Sequence, residues 1–469
     1  MSRKITRRHL LTASLQASAG ALIASLTCRA DRLPLNQDSS KQTFDVIVIG
    51  AGVAGLAAAR RLRRDRASVV ILEGRNRIGG RIWTDTSMSG VALDLGASWI
   101  QGTKGNPITS LARDFNLRTS PTNFDNVALY SAGRRLSDLD AQRIEKSYRN
   151  LIQRVERSRA ALQTKGRGDI SLQAGIDQVL AQQPLSEQER AELRFAIHAE
   201  IEDEYAADTA DLSLFSWDQD DGFGGENVLF AGGYGQIAAG LARGQDIRLN
   251  ARVRRVEYGD RGVSVETDQQ TFRAERVIVT LPLGVLKRGA ITFAPALPEP
   301  KRLSIGRLGM GILNKTYLRF PQVFWPTETD VIGVISRDRA EWGEWINFYK
   351  HIAQPILLGF NSGQDARLIE GLSNQSVVLR AMKVLRDAFG SSIPDPVGAV
   401  VTRWQSDPFS LGSYSSIPPG ATGKDYDTLA APIGDRVFFA GEATSRAYPA
   451  TVHGAFLSGE REAKRISSL

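Results

Sequence analysis

Residues 44–49, FDVIVI, run straight into GAGVAG and on into LAAARRL, and this succession leaves a chain few ways to fold. A continuous β-branched run marks a strand buried on both faces, because a strand with one wet face alternates. In the turn after it, Gly50 permits a tight reversal, Gly52 lets the backbone approach a pyrophosphate, and Gly55 lets the next helix pack closely. That helix offers its unpaired N-terminal amides to phosphate. A second apolar run, SVVIL, ends at Glu73, 18 residues after Gly55, where a carboxylate is needed for a ribose hydroxyl pair. Strand, turn, helix, strand and acid in this order predict a βαβ unit that binds a dinucleotide.

The chain has 469 residues, enough for two or three domains around a large core. Its charge of +8 invites a nucleic-acid reading, but the location of the charge defeats it. Arg3, Lys4, Arg7, Arg8, Arg29 and Arg32 against Asp31 alone put +5 in the first 32 residues, leaving +3 for residues 33–469. No basic stripe for DNA or RNA remains. The single cysteine, Cys28, lies in the same segment, so a disulfide framework, a thiolate nucleophile and a structural zinc site are excluded downstream. Four scattered histidines, at no ligand spacing, give no metal site.

The opening MSRKITRRHLLTASLQASAGALIASLTCRA has a basic start and an apolar run too short and polar to span a bilayer. Residues 1–32 resemble a twin-arginine signal, with Thr6, Arg7 and Arg8 followed by Leu10 and Leu11. The resemblance implies the twin-arginine translocase as a transient partner and an exported product, periplasmic or extracellular, or lumenal in a thylakoid. Read instead as a basic tail, the segment leaves the chain in the cytoplasm.

Composition divides the rest. From about residue 106 the chain turns to Gln- and Arg-rich helical segments without parallel-strand pattern, reaching about 215. Strand character returns near 225, mixes with helices over 296–397, and ends in RVFFAGEA feeding a last helix. The expected fold is α/β: a discontinuous Rossmann-like, glutathione-reductase-like domain from residues 43–105, 225–295 and 398–469, and a mixed α+β substrate domain with a helical part from 106–224 and 296–397.

Beyond Glu73, EGRNRIGGR resembles the second FAD motif of the glutathione-reductase-like flavoproteins. Further motifs, GASWIQG, LSLFSWDQDD, AGGYG, VTLPLGVLK, LNKTYLRF, VTRWQSDPFSLGSYS and FFAGEATSRAYPATVHGAFLSGEREA, make the chain similar to the flavin amine oxidases over residues 43–467. That family comprises monoamine oxidases, polyamine oxidases and lysine-specific histone demethylases, and YPATVHGA and WDQDD look more like the latter two. The resemblance implies FAD held by Gly50, Gly52, Ala54, Gly55, Glu73, Arg75, Gly80, Arg81, Ser98, Trp99, Val253, Glu442, Thr451 and Val452. It implies that Lys315 reaches flavin N5 through a water, that Tyr414 and Thr451 occupy the aromatic-cage positions, and that Trp404 stands nearby. Where monoamine oxidases attach FAD through cysteine this chain has Ser413, so the FAD is expected to be non-covalent.

The implied reaction is oxidation of an amine to an imine, which water hydrolyses, with O2 reduced to H2O2. For a polyamine, the remaining cations want carboxylates or aromatic faces. Glu200, Glu202, Asp203, Glu204, Asp218, Asp220 and Asp221 supply candidates, and Gln101 stands where polyamine oxidases commonly carry Glu or His. An L-amino-acid oxidase would need an arginine for the carboxylate. In that branch the corresponding arginine position is Trp99 here. A third alternative is a non-catalytic flavin-binding interaction protein.

Overall fold

A computed structural model describes residues 43–88, 90–336 and 341–469. The twin-arginine segment and Cys28 lie outside the described residues. The largest sheet is built around Thr43–Ile49, which pairs parallel with Val69–Leu72 on one side and Thr271–Val279 on the other. Thr271–Val279 then forks. Its first half pairs antiparallel with Gly262–Thr267, while its last three residues pair parallel with Val437–Phe439. Ile247–Arg248 closes one edge and Val253–Gly259 with Thr292–Ala294 the other.

The β-branched run behaves as its composition requires. Successive side chains alternate faces, and Val46 and Val48 pack under the helix Val53–Arg64 while Ile47 and Ile49 pack on the opposite face with Val70 and Val277. None of the four strand residues is more than 2% exposed. Helix Val53–Arg64 lies against the last helix, Val452–Ser467, closely enough that a Cβ on Gly459 would sit 2.2 Å from the Ala54 carbonyl oxygen. The C-terminal segment therefore returns to the glycine turn at which the fold begins.

A second, seven-stranded sheet runs Gly398–Val401, Leu313–Arg319, Ile356–Ser362, Glu344–Asn347, Val331–Ile335, Val127–Ser131 and Arg134–Arg135. Helix Asn374–Phe389 packs on it through Val377, Ala381 and Leu385. Helices Asp138–Thr164, Leu172–Leu180 and Glu187–Ile197 form the helical part, joined to the sheet where Phe195 meets Ile335.

Two expectations need correction. Residues 106–215 are not free of parallel strand: Val127–Ser131 pairs parallel with Val331–Ile335. A five-residue strand partnered about 200 positions away leaves no trace in local composition. The return to the cofactor fold also begins later than 398, since Gly398–Val401 still pairs with Thr316–Arg319. Valines mark a strand without saying which sheet receives it.

Candidate functional site

The glycine turn opens onto a cleft enclosing about 2260 Å³, its mouth included. A Cβ on Gly50, at φ +106°, would meet Thr280 Oγ1 at 2.6 Å, and one on Gly55 would meet the Gly50 carbonyl oxygen at 2.0 Å. A Cβ on Gly52 would meet nothing within 4 Å, so that face of the turn is open to an approaching phosphate. Glu73 Oε2 accepts the Ala51 amide and Oε1 the Arg75 amide, each at 2.8 Å. Each oxygen keeps a lone pair for a further donor. Val253 and Ala54 share this wall. All the expected site residues lie on the cleft except Gly55, which packs beneath the turn.

Arg75 lies on the cleft and is also tied to its neighbours. Its guanidinium makes a two-pronged pair with Asp407 at 2.6 and 2.8 Å, donates to Ser410 Oγ at 2.8 Å, and stacks on Phe409. Its charge is committed to the loop that carries Trp404 and Tyr414.

Strand Val437–Phe439 delivers Glu442, 5% exposed, to the centre of the wall. Glu442 Oε1 accepts from Arg81 at 2.8 Å, and Oε2 accepts from Ser415 Oγ at 2.6 Å and from the Ala450 amide at 3.0 Å. Arg81 also donates to the Ser413 carbonyl at 2.9 Å. One ion pair thus ties together three segments distant in sequence. Beside it, Thr451 caps the last helix, with Oγ1 accepting from the Gly454 amide at 2.9 Å and donating to the Tyr448 carbonyl at 3.0 Å. The hydroxyl expected in the cage is spent on the cap, and the helix N-terminus at Val452 is left facing the cleft with its partial positive charge.

Lys315 reaches the cleft from strand Leu313–Arg319 and is 3% exposed. Its ammonium donates to the Asp94 carbonyl at 2.8 Å, the Gly96 carbonyl at 2.5 Å and Ser98 Oγ at 2.5 Å, and stands 5.6 Å from the Trp99 ring. Beneath it, the Asp94 carboxylate accepts from Thr84 Oγ1 and the Tyr234 amide. Burial pushes Asp94 up to about 6, against the opposing pull of Thr84, Lys315 and the Tyr234 amide. Trp404 is a wall rather than a proton donor to the cleft: its Nε1 donates to the Leu95 carbonyl at 3.0 Å and its ring meets Trp83 edge-on.

At the substrate end, the Tyr414 hydroxyl donates to the Asp203 carbonyl at 2.8 Å. Gln101 Nε2 lies 3.5 Å from Glu204 Oε1, and the Tyr205 hydroxyl donates to Asp220 Oδ1 at 3.2 Å. Burial, then Asp220 and Glu204, hold the Tyr205 phenol well above its ordinary value. Of the seven candidate acids, Glu204 and Asp220 line the cleft. Asp218 pairs with Arg159, Glu202 binds His198 and Thr209, and Asp203 is buried beside His198. Three of the four arginines on the wall are paired: Arg75 with Asp407, Arg81 with Glu442, Arg446 with Asp427. Arg252 lies over Phe409.

Sequence reasoning missed Asp94, the Arg81–Glu442 pairing, His198, and a stack of Phe223 on Tyr448 with His453 edge-on to both. Asp94, the Arg81–Glu442 pair and Phe223 depend on partners far apart in the chain, whereas His198 meets Glu202 and Asp203 four and five residues on, through a π turn that no local pattern announces.

A glycine turn open to a pyrophosphate, an acid at the end of the second strand, and a helix N-terminus and buried lysine on the same cleft define a dinucleotide-binding protein. Residues 53–467 match the family model described as flavin containing amine oxidoreductase, and the chain belongs to that family. Its cofactor is FAD, and with no cysteine after Cys28 a cysteinyl link is excluded. Protein FLOWERING LOCUS D of Arabidopsis thaliana is 37% identical over 93% of this chain and 56% of its own length. Lysine-specific histone demethylase 1 homolog 1 of Oryza sativa subsp. japonica is 40% identical over 90% of this chain and 52% of its own. The chain therefore spans about half the length of the curated relatives it matches. A solved structure of putrescine oxidase bound to putrescine shares the fold, with a TM-score of 0.75 at 22% identity, covering 91% of this chain and 100% of that one.

Proposed function

We propose that the chain oxidises an aliphatic amine carrying a second positive charge, a polyamine or diamine, with O2 as acceptor. In the balanced reaction, a CH–NH unit, O2 and water give a carbonyl, a free amine and H2O2. FAD supplies the two-electron acceptor. The residues do the rest. The buried, largely apolar wall favours the neutral form of the amine that is to react, Tyr414 forms one side of its seat, and Lys315 brings a fixed positive charge close to the reacting end. The observation that carries the reading is the pair Glu204 and Asp220 on the cleft wall beside Tyr205, where a distal ammonium finds carboxylates and an aromatic face. An α-carboxylate would instead meet Arg75, Arg81 and Arg446 already paired, and Arg252 stacked on Phe409, which disfavours the L-amino-acid oxidase.

The identity to histone demethylases favours a second reading in which the amine is a methylated lysine of a basic peptide. One assay separates them: peroxide release by the FAD-loaded protein from putrescine and spermidine, from an N-methyl-lysine peptide, and from L-amino acids. The polyamines are expected to give the highest kcat/KM. E204Q and D220N are each expected to raise KM for putrescine about tenfold, the loss of about 1.4 kcal/mol, with less effect on a monoamine of equal length. Equal effects on both amines would sink the ammonium role, and peroxide from the peptide alone would install the second reading.

We further propose that residues 1–32 direct twin-arginine export of the folded protein. This is supported by Arg7 and Arg8 before a weakly apolar run, and by the need to load FAD before export. In a bacterial host, the full chain is expected in the periplasmic fraction and R7K/R8K in the cytoplasm; identical fractionation of the two refutes the signal.

A further inference from the structure

His198 lies outside the cleft, 3% exposed, with two carboxylates on its ring: Nδ1 is 3.0 Å from Glu202 Oε2 and Nε2 is 3.5 Å from Asp203 Oδ1. Asp203 is 1% exposed and Glu202 largely buried. Two buried carboxylates on one neutral ring would leave uncompensated charge at a cost of several kcal/mol, so this geometry calls for the imidazolium. The backbone here is unusual. Helix Glu187–Ile197 passes into a π-helical turn at His198–Glu202 and ends at Ala206 in the left-handed region, φ +53°. A π turn inserts one residue and rotates everything after it.

The segment after this turn forms the substrate end of the cleft. The Asp203 carbonyl holds the Tyr414 hydroxyl, and Glu204 and Tyr205 face the cleft as the next two residues. The Ala206 carbonyl accepts the Ile312 amide at 2.7 Å, which fixes the end of the segment to the residue just before the strand that carries Lys315. We propose that His198 is a positioning residue: as an imidazolium clamped by Glu202 and Asp203, it locks the π turn and thereby sets Tyr414, Glu204 and Tyr205 in one arrangement toward the substrate. It touches none of the reacting atoms. The distal-ammonium part of this inference rests on the function proposed above; the geometric part does not.

The groups facing the clamp are accounted for. Thr209 donates to Glu202 from the next turn of chain, and Asp365 adds negative charge from helix Gly363–Glu370. Asp208, near Glu202, is itself held by Arg367 and the Gln364 amide. Burial alone would lower the imidazole, but Asp203, Glu202 and Asp365 outweigh it and raise it to about 9. With the folded value above the free one of 6.5, the clamp's contribution is complete below about pH 6.5 and is lost as pH rises through about 9.

The test uses FAD-loaded H198Q, D203N and H198Q/D203N. H198Q is expected to raise KM for putrescine about fivefold with FAD content retained. The double variant, which removes cation and anion together, is expected to return most of that loss. Between pH 8 and 10 the wild type should lose affinity and melting temperature together, whereas the double variant should show only the decline due to the amine's own ionisation. A melting temperature lowered in H198Q with KM per bound FAD unchanged would reduce His198 to a structural ion pair. If H198Q does not fold, superimposable pH profiles of wild type and double variant overturn the inference equally. The geometric arm needs no substrate: in a crystal structure of the H198Q holoprotein, or of the D203N holoprotein should H198Q not fold, the Tyr414 hydroxyl should have left the Asp203 carbonyl. An unchanged bond there refutes the clamp whether or not any amine is oxidised.

Discussion

K315M is expected to lower amine turnover by about 10²- to 10³-fold while the protein still binds FAD. The size reflects where the charge sits. The ammonium is buried and held by the Asp94 and Gly96 carbonyls and Ser98 Oγ, so it is oriented before any reaction and need not reorganise during it. A single preorganised polar donor in a water-poor site is worth about this factor. Methionine keeps the length of the side chain and fills the space but donates nothing. Two further effects separate this from a general loss of fold. The Gly96 carbonyl loses its donor while the Asp94 carbonyl keeps the Tyr317 hydroxyl at 2.8 Å, and a buried acceptor left unsatisfied costs about 1–3 kcal/mol, so the melting temperature should fall. Asp94 also loses the cation that pulls its carboxyl down, so the carboxyl should titrate still higher than about 6. Rapid-mixing measurement of flavin reduction under anaerobic conditions and of reoxidation by O2 would show which half of the reaction slows. Wild-type rates in both halves would remove Lys315 from the mechanism.

The same lysine shows what the sequence could and could not disclose. Lys315 was legible only through the resemblance of LNKTYLRF, since a lysine in a strand is otherwise a solvated charge. Its acceptors are 217 to 221 residues away, at a distance no local pattern reaches. The glycine turn is the opposite case. The constraints on Gly50, Gly52 and Gly55 come from backbone within a few residues and from the phosphate they face, so spacing alone exposes them. Glu204 and Asp220 fall between. Their acidity was visible, but nothing in the run of seven acids tells which two point to the cleft, because that depends on the π turn before Asp203 and on the Tyr205–Asp220 bond. The strand at Val127–Ser131 was hidden for the reason that hides most short parallel strands: its partner lies on the far side of a helical insertion.

Glu442 offers the other large effect. E442A is expected to yield a protein that is destabilised by about 3–5 kcal/mol and retains little FAD, because removing one partner of a buried, hydrogen-bonded ion pair leaves the other charge uncompensated. Here the stranded groups are the Arg81 guanidinium, the Ser415 hydroxyl and the Ala450 amide, all on the cleft wall. Alanine also frees three segments that the carboxylate holds together, so the loss should be felt at both ends of the cleft: at the turn containing Gly80 and Arg81, and at Tyr414, one residue before Ser415. E442Q separates geometry from charge. Glutamine can still accept from Arg81 through its amide oxygen, but its amide nitrogen would then meet the Ser415 hydroxyl and the Ala450 N–H, and the latter can only donate. E442Q should therefore fall between wild type and alanine in melting temperature, with FAD content partly restored. The measurements are thermal unfolding with and without added FAD, and flavin-to-protein absorbance after gel filtration. Full flavin content and an unchanged midpoint in E442A would mean that the three segments are held by their own packing, and that Glu442 is a passenger on the wall rather than its fastening.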